Sequence, residues 1–118
     1  MHNYKMLIDG AQVAGEQGQF DVINPATGVA FAQCPAGSLG QLDQAVDAAQ
    51  QAFKSWRHSS HPDRCERLLA IAADIEQEAD SLARLIVLEQ GKPLELAFSE
   101  VMGAAAWTRY AAAQEIAV

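Results

Sequence analysis

Phe20-Asp21-Val22-Ile23-Asn24-Pro25-Ala26-Thr27-Gly28-Val29-Ala30-Phe31 is the stretch on which the first third of the chain turns. Phe20 to Ile23 alternates apolar and polar residues, the pattern of a half-buried strand. Asn24-Pro25-Ala26-Thr27-Gly28 then reverses the chain, because Pro25 presets φ for a turn and Gly28 tolerates a left-handed exit. Val29, Phe31, Gln33 and Pro35 follow as the return strand, so a hairpin is expected. Upstream, Met6-Leu7-Ile8 and Ala11-Gln12-Val13 flank Asp9-Gly10, a two-residue turn whose positive φ angles match strand twist. Gly15 to Gly18 reads as a polar connector between the two hairpins.

Downstream the period changes from two to 3.6. Ser38 with Gln41 three residues later is a capping-box signature. Leu42, Ala45, Val46, Ala49, Phe53 and Trp56 then recur at three and four, one apolar stripe that should stop near Arg57. Ser60 and Asp63 repeat the signature, with Pro62 in the first turn where its missing donor costs nothing. Leu68, Ile71, Ala72, Ile75 and Ala79 predict the buried stripe of this second helix, and a short break is expected at Asp80. Leu82, Leu85, Ile86 and Leu88 continue helically until Gly91 fits the left-handed C-terminal position and Pro93 stops the run. A last helix is expected from about Leu94 to the chain end, with Leu94, Ala97, Phe98, Val101, Ala105 and Thr108 on one side. Met102, Trp107, Tyr110 and Ile116 fall off that stripe, so the helix is apolar all round, as expected when several partners cover it. The expected architecture is two β-hairpins over 1–37 followed by three or four helices over 38–118. The chain reads as cut within a larger protein.

The 118 residues allow one domain at most, burying about two-thirds of the surface of the unfolded chain. Half of the residues are hydrophobic and 19% charged, which favours a folded segment over a disordered one. A net charge of −7 with scattered basic residues argues against nucleic acid and against an anionic membrane surface. No apolar run approaches the ~20 residues of a membrane span. The first residues lack a charged lead ahead of a long apolar core. Two cysteines make no disulfide framework. A cytoplasmic protein with reduced thiols is the expectation.

Candidate chemistry is sparse. Cys34 sits beside Pro35 with no basic neighbour in sequence, and reads as a small core residue. Cys65 lies near a helix start, but Asp63 and Glu66 flank it and disfavour the thiolate, so a structural role is again expected. His58 and His61 are three apart in a serine-rich loop without a third ligand, and read as solvated histidines. Glu76/Glu78 and Asp43/Asp47 read as solvating charge. There is no Gly-x-Gly-x-x-Gly and no Gly-Lys-Ser/Thr, so the chain shows no phosphate cradle. No catalytic and no cofactor-binding residue is assigned.

Taken in order, these features are similar to the N-terminal region of the NAD(P)-dependent aldehyde dehydrogenase superfamily. The resemblance runs through Ile8-Asp9-Gly10, Ile23-Asn24-Pro25-Ala26-Thr27-Gly28, Ala45 to Trp56, Arg64 to Ile75, Leu88-Glu89-Gln90-Gly91-Lys92-Pro93, Glu100-Val101 and Arg109-Tyr110-Ala111. It implies an α/β family fold, with this segment forming the outer part of a cofactor-binding domain in a longer, oligomeric enzyme. Such enzymes oxidise an aldehyde through a thiohemiacetal on a cysteine, pass hydride to NAD or NADP, and hydrolyse the thioester with a glutamate base. The resemblance places all of those groups beyond this chain, so the isolated chain is expected to be inactive. It implies two further roles. The carbonyl of Ile23 and the acid Glu89 match positions near a structural monovalent cation, and oxygen ligands suit a hard cation. Gly103 and Trp107 match the wall of an aldehyde access tunnel, against the alternative that they lie buried beneath a missing domain. The competing function is a non-enzymatic interaction module that binds through the exposed apolar face of the last helix.

Overall fold

A computed structural model describes residues 2–115. It divides into two compact units, Met1–His58 and Ser59–Val118.

The first unit holds five strands and one helix: β1 (His2–Asn3), β2 (Met6–Ile8), β3 (Ala11–Val13), β4 (Gln19–Asn24), β5 (Val29–Pro35) and α1 (Leu39–Trp56). β2 and β3 form an antiparallel hairpin in which Ile8 faces Ala11. Asp9 and Gly10 both take positive φ, 51° and 75°, as the sequence predicts. β4 and β5 form the second hairpin, and β1 adds a short parallel strand on the far side of β5. That third strand was not expected, because its pairing of His2 with Ala32 joins residues far apart in sequence.

The Asn24–Gly28 reversal is closed by its own groups. Oδ1 of Asn24 accepts from the Ala26 N–H at 2.9 Å, and its carbonyl accepts from Gly28 N–H at 2.8 Å. Gly28 has φ 68°, a region that penalises any residue with a Cβ. The return strand departs from simple alternation. Val22 faces Ala32 and Ile23 faces Ala30, so Phe31 is the extra residue of a β-bulge. The bulge puts Ala32, fully buried, on the inner face in place of the expected alternation from Val29.

Helix α1 begins with both halves of the Ser38/Gln41 capping box. Gln41 does more than cap. Only 5% exposed, its Oε1 accepts from the N–H groups of Ser38 and Glu16, and its Nε2 donates to the Ala14 carbonyl. Ser38 Oγ donates to the Glu16 carboxylate. The connector and the helix start are therefore fastened by one buried amide. Gly15 allows this close approach, since a Cβ there would lie 2.4 Å from the Ala36 carbonyl oxygen. The apolar stripe of α1 is not buried within the chain: Leu42, Val46, Phe53 and Trp56 are exposed.

The second unit is helical: α2 (His61–Gln77), α3 (Ala79–Gln90) and α4 (Leu94–Ala112). α2 starts with the predicted Ser60/Asp63 box and Pro62 in its first turn. Its stripe is only partly covered, with Ala72 and Ala79 buried but Ile71 exposed. The break falls at Glu78, two residues before the expected Asp80, which instead lies in the first turn of α3 and pairs with Arg84 at 2.8 Å. Gly91 closes α3 in the left-handed conformation, as predicted. α4 packs on α2 and α3, and the core is Ala79, Ala83, Ala97 and Val101, flanked by Ile75, Leu82, Ile86 and Val87. The row Ala97, Val101, Ala105 recurs every four residues, so small side chains let the helices approach closely. Leu94 and Phe98, expected on that buried stripe, are exposed. α4 ends at Ala112, short of the expected chain end, and Ile116 lies outside the described residues.

Candidate functional site

The surface that carries the tunnel candidates is on α4. Burial of Ala97, Val101 and Ala105 against α2 and α3 turns the opposite side of the helix outward. There Gly103, Ala106, Trp107 and Tyr110 line a shallow apolar hollow of about 460 Å³. Trp107 and Tyr110 meet edge to face, with ring centroids 5.6 Å apart and planes at 84°. Such a contact adds about 1 kcal/mol to the burial of the rings and fixes their relative orientation. Trp107 is nevertheless 72% exposed and Tyr110 59%. Nothing lies within 4 Å of where a Gly103 Cβ would stand, so its smallness leaves space in the hollow. The structure thus brings both tunnel candidates, Gly103 and Trp107, to one surface. It adds Ala106 and Tyr110, which complete the hollow and which the sequence reading did not assign to it.

One ion pair holds this helix from behind. Arg109 donates to Glu76 through two parallel bonds, Nε to Oε1 at 2.9 Å and Nη2 to Oε2 at 2.6 Å. The hydrogen bond from the guanidinium, with its charge, holds the Glu76 carboxyl below the ordinary glutamate range, and the same bond raises Arg109. Glu76 was expected to be a solvating charge; it is instead a bidentate partner, half-buried between α2 and α4. The 33 residues separating the pair explain why no local pattern announced it. At the other end of α4, the Lys92 ammonium pairs with the Glu100 carboxylate and spans the turn after α3.

The remaining candidates are dispersed. Ile23 lies in β4 of the first unit, with its side chain 47% exposed. Glu89 is the penultimate residue of α3 in the second unit, exposed at a helix C-terminus. Cys34 is half-buried in β5 rather than a closed core residue. His61 is not a loop histidine: it opens α2, with Nε2 3.0 Å from the Gln114 carbonyl oxygen and 3.4 Å from Cys65 Sγ. Among the described residues no group of three His, Cys, Asp or Glu side chains is placed to hold a metal ion. None of the helices there is long and apolar enough to cross a membrane. The positive-φ glycines sit in turns and at the end of α3, none at a strand-to-helix turn where main-chain amides gather around a phosphate.

Hairpins, an amide-fastened helix and an apolar helix wall define an α/β segment. The Aldehyde dehydrogenase family profile matches residues 12–117. A probable aldehyde dehydrogenase from Pseudomonas sp is 41% identical over 108 residues, which is 92% of this chain and 22% of that protein. The NAD-dependent aldehyde dehydrogenase of Sinorhizobium meliloti superposes with a TM-score of 0.90 at 32% identity, over 95% of this chain and 23% of the other. The NADP-dependent glyceraldehyde-3-phosphate dehydrogenase of Bacillus halodurans, solved with NADP, gives 0.92 at 30% identity, over 95% and 24%. The chain belongs to the aldehyde dehydrogenase family, as an N-terminal segment of it. It spans about a fifth of the length of the curated relatives it matches, 22% for the Pseudomonas protein.

Proposed function

We propose that this chain forms the N-terminal part of the cofactor-binding domain of an NAD(P)-dependent aldehyde dehydrogenase that works as a cytoplasmic homo-oligomer. Within it, 1–37 supplies hairpins and 38–118 supplies helices. The observation that carries the reading is the family match across residues 12–117. The full enzyme would oxidise an aldehyde to a carboxylic acid. A cysteine adds to the carbonyl, the thiohemiacetal loses hydride to the nicotinamide, and a glutamate activates water against the thioester. This chain contributes none of those groups. Its own part is the apolar wall of Gly103, Ala106, Trp107 and Tyr110, which would exclude water along the aldehyde's path. The carbonyl of Ile23 and the carboxylate of Glu89 are the oxygen donors it would offer to a monovalent cation, in keeping with the preference of hard cations for oxygen.

The test is to incubate the 118-residue chain with NAD or NADP and a panel of aldehydes while following reduced-cofactor absorbance. No turnover is expected. A rate above that of a Cys34→Ala/Cys65→Ala double variant would overturn the assignment of the reacting groups elsewhere.

The exposed apolar residues of α4, Leu96, Trp107 and Tyr110 foremost, favour a second reading, a non-enzymatic module that docks on a protein partner. Dye binding and size-exclusion chromatography address it. A monomer that binds no apolar dye would remove this reading.

A further inference from the structure

The inner side of α4 fixes how near the helix lies to its neighbours better than it fixes how the helix is turned. The buried row is Ala97, Val101, Ala105 and Ala112, single methyl groups apart from one valine. Such a row permits close approach but offers no long side chain to interlock with a groove, so it sets separation more firmly than rotation. Two residues beside the apolar hollow soften the helix further. Gly103 lacks a side chain and is the weakest helix former in α4. Thr108 Oγ1 donates at 2.8 Å to the Ala104 carbonyl, a bond to the fourth residue back of the kind that loosens and bends a helix.

Just beyond this stretch stands Arg109, in the last turn of α4. It follows Ala105 by four residues and so lies beside the buried row, while Trp107 and Tyr110 belong to the hollow. The carboxylate that receives it is the penultimate residue of α2, Glu76. A helix C-terminus disfavours a negative charge, and α2 has no basic residue in its own last turn to offset it. What favours the Glu76 carboxylate is therefore the Arg109 guanidinium, from another helix. The two parallel bonds, 2.9 and 2.6 Å long, hold a planar fork against a planar carboxylate. That arrangement fixes direction as well as distance, which a single bond or an ammonium does not.

We propose that Glu76 and Arg109 are positioning residues whose paired bonds set the rotation of the C-terminal part of α4, and with it the placing of Trp107 and Tyr110 across the hollow. What this means for an aldehyde rests on the reading of the hollow as a wall of the substrate's path. The placing of the rings does not rest on it and is measured without turnover, so either can fail while the other stands.

The experiment uses the 118-residue chain carrying Trp56→Phe, which leaves Trp107 as the only tryptophan. Near-ultraviolet circular dichroism reports how fixed the surroundings of that ring are, and the far-ultraviolet signal reports helix content. Arg109→Lys keeps the charge and removes the fork. Glu76→Asp keeps the charge and withdraws the carboxylate by one methylene. Each should lose about half of the Trp107 signal while helix content holds. Combining Glu76→Arg with Arg109→Glu rebuilds the pair in reverse and should recover most of it. Arg84→Lys, which alters the Asp80 pair within α3, should leave Trp107 unchanged. An unaltered Trp107 signal in both Arg109→Lys and Glu76→Asp would overturn the proposal. So would an equal loss in Arg84→Lys, or a fall in helix content in step with the Trp107 signal, since the pair would then hold the fold and not the rotation.

Discussion

The two units are held together by different physics. In Met1–His58 the ties are polar and main-chain: two hairpin ladders, the bulge at Phe31, and the amide of Gln41 reaching Glu16, Ser38 and Ala14. Among the described residues its one fully buried apolar side chain is Ala32, while Leu42, Val46, Phe53 and Trp56 are exposed. In Ser59–Val118 the ties are apolar contacts between small residues, Ala79, Ala83, Ala97 and Val101, reinforced by Glu76–Arg109. A buried amide that serves three main-chain groups is costly to lose, because each abandoned donor or acceptor keeps its desolvation penalty. A core of alanines buries little area per residue, so its strength lies in the closeness of the helices. The contrast teaches that one family segment can fasten its parts either by satisfied polar groups or by close packing.

One tryptophan in each unit makes the contrast measurable, Trp56 in the first and Trp107 in the second. With Trp107→Phe the fluorescence reports the first unit, and with Trp56→Phe the second. The largest expected effect is from Gln41→Leu. It strands three main-chain partners at about 1 kcal/mol each, so the Trp56-reported urea transition should lose about 3 kcal/mol while Trp107 reports no change. An equal loss at both tryptophans would mean that the units unfold as one body, and the comparison would fail. Val101→Ala is the mirror experiment. It leaves a small cavity in the second core and should lower the Trp107-reported stability by about 2 kcal/mol, with Trp56 unaffected.

Ser38→Ala and Ser60→Ala make the same change at the two capping boxes, one in each unit. Each should cost about 1 kcal/mol, seen only by its own tryptophan. A cross-over of either effect would blur the division. The smallest effect is expected from pH. Glu76 has a folded-state carboxyl below the ordinary value of 4.5, because Arg109 favours its ionised form. The folded state therefore holds its proton less readily than the unfolded state does. The stabilisation is fully present above the unfolded value and is lost as pH falls through the folded one. Both partners are partly exposed, so salt weakens the effect. Acid titration of Trp107-reported stability should fall less steeply in Glu76→Gln than in the unaltered chain. Identical slopes would show that the pair adds no pH dependence to the second unit.

Much of the local structure was legible in the sequence because its causes lie within a few residues. Asp9-Gly10 and Asn24 to Gly28 carry their own turn chemistry. Both capping boxes close over three residues, and Gly91-Lys92-Pro93 stops α3 where it should. Gly103 and Trp107 are four apart, so their common face could be read from helix geometry alone. Other features depend on residues brought from far along the chain. Asp80 was the expected break, yet the local pattern did not separate it from Glu78, since the choice rests on how Ala79 and Ala83 enter the core.

What the sequence by itself determined, then, is the order of elements, their caps and turns, and the family, since those depend on near neighbours and on ordered short motifs. Tertiary structure alone decided the β1–β5 pairing, the bulge that turns Ala32 inward, and the reach of Gln41 to Ala14. It also decided the Glu76–Arg109 clamp. Most of these join residues ten to thirty or more apart, and for all of them the geometry exists only once the chain has folded. No periodicity along the chain encodes that distance.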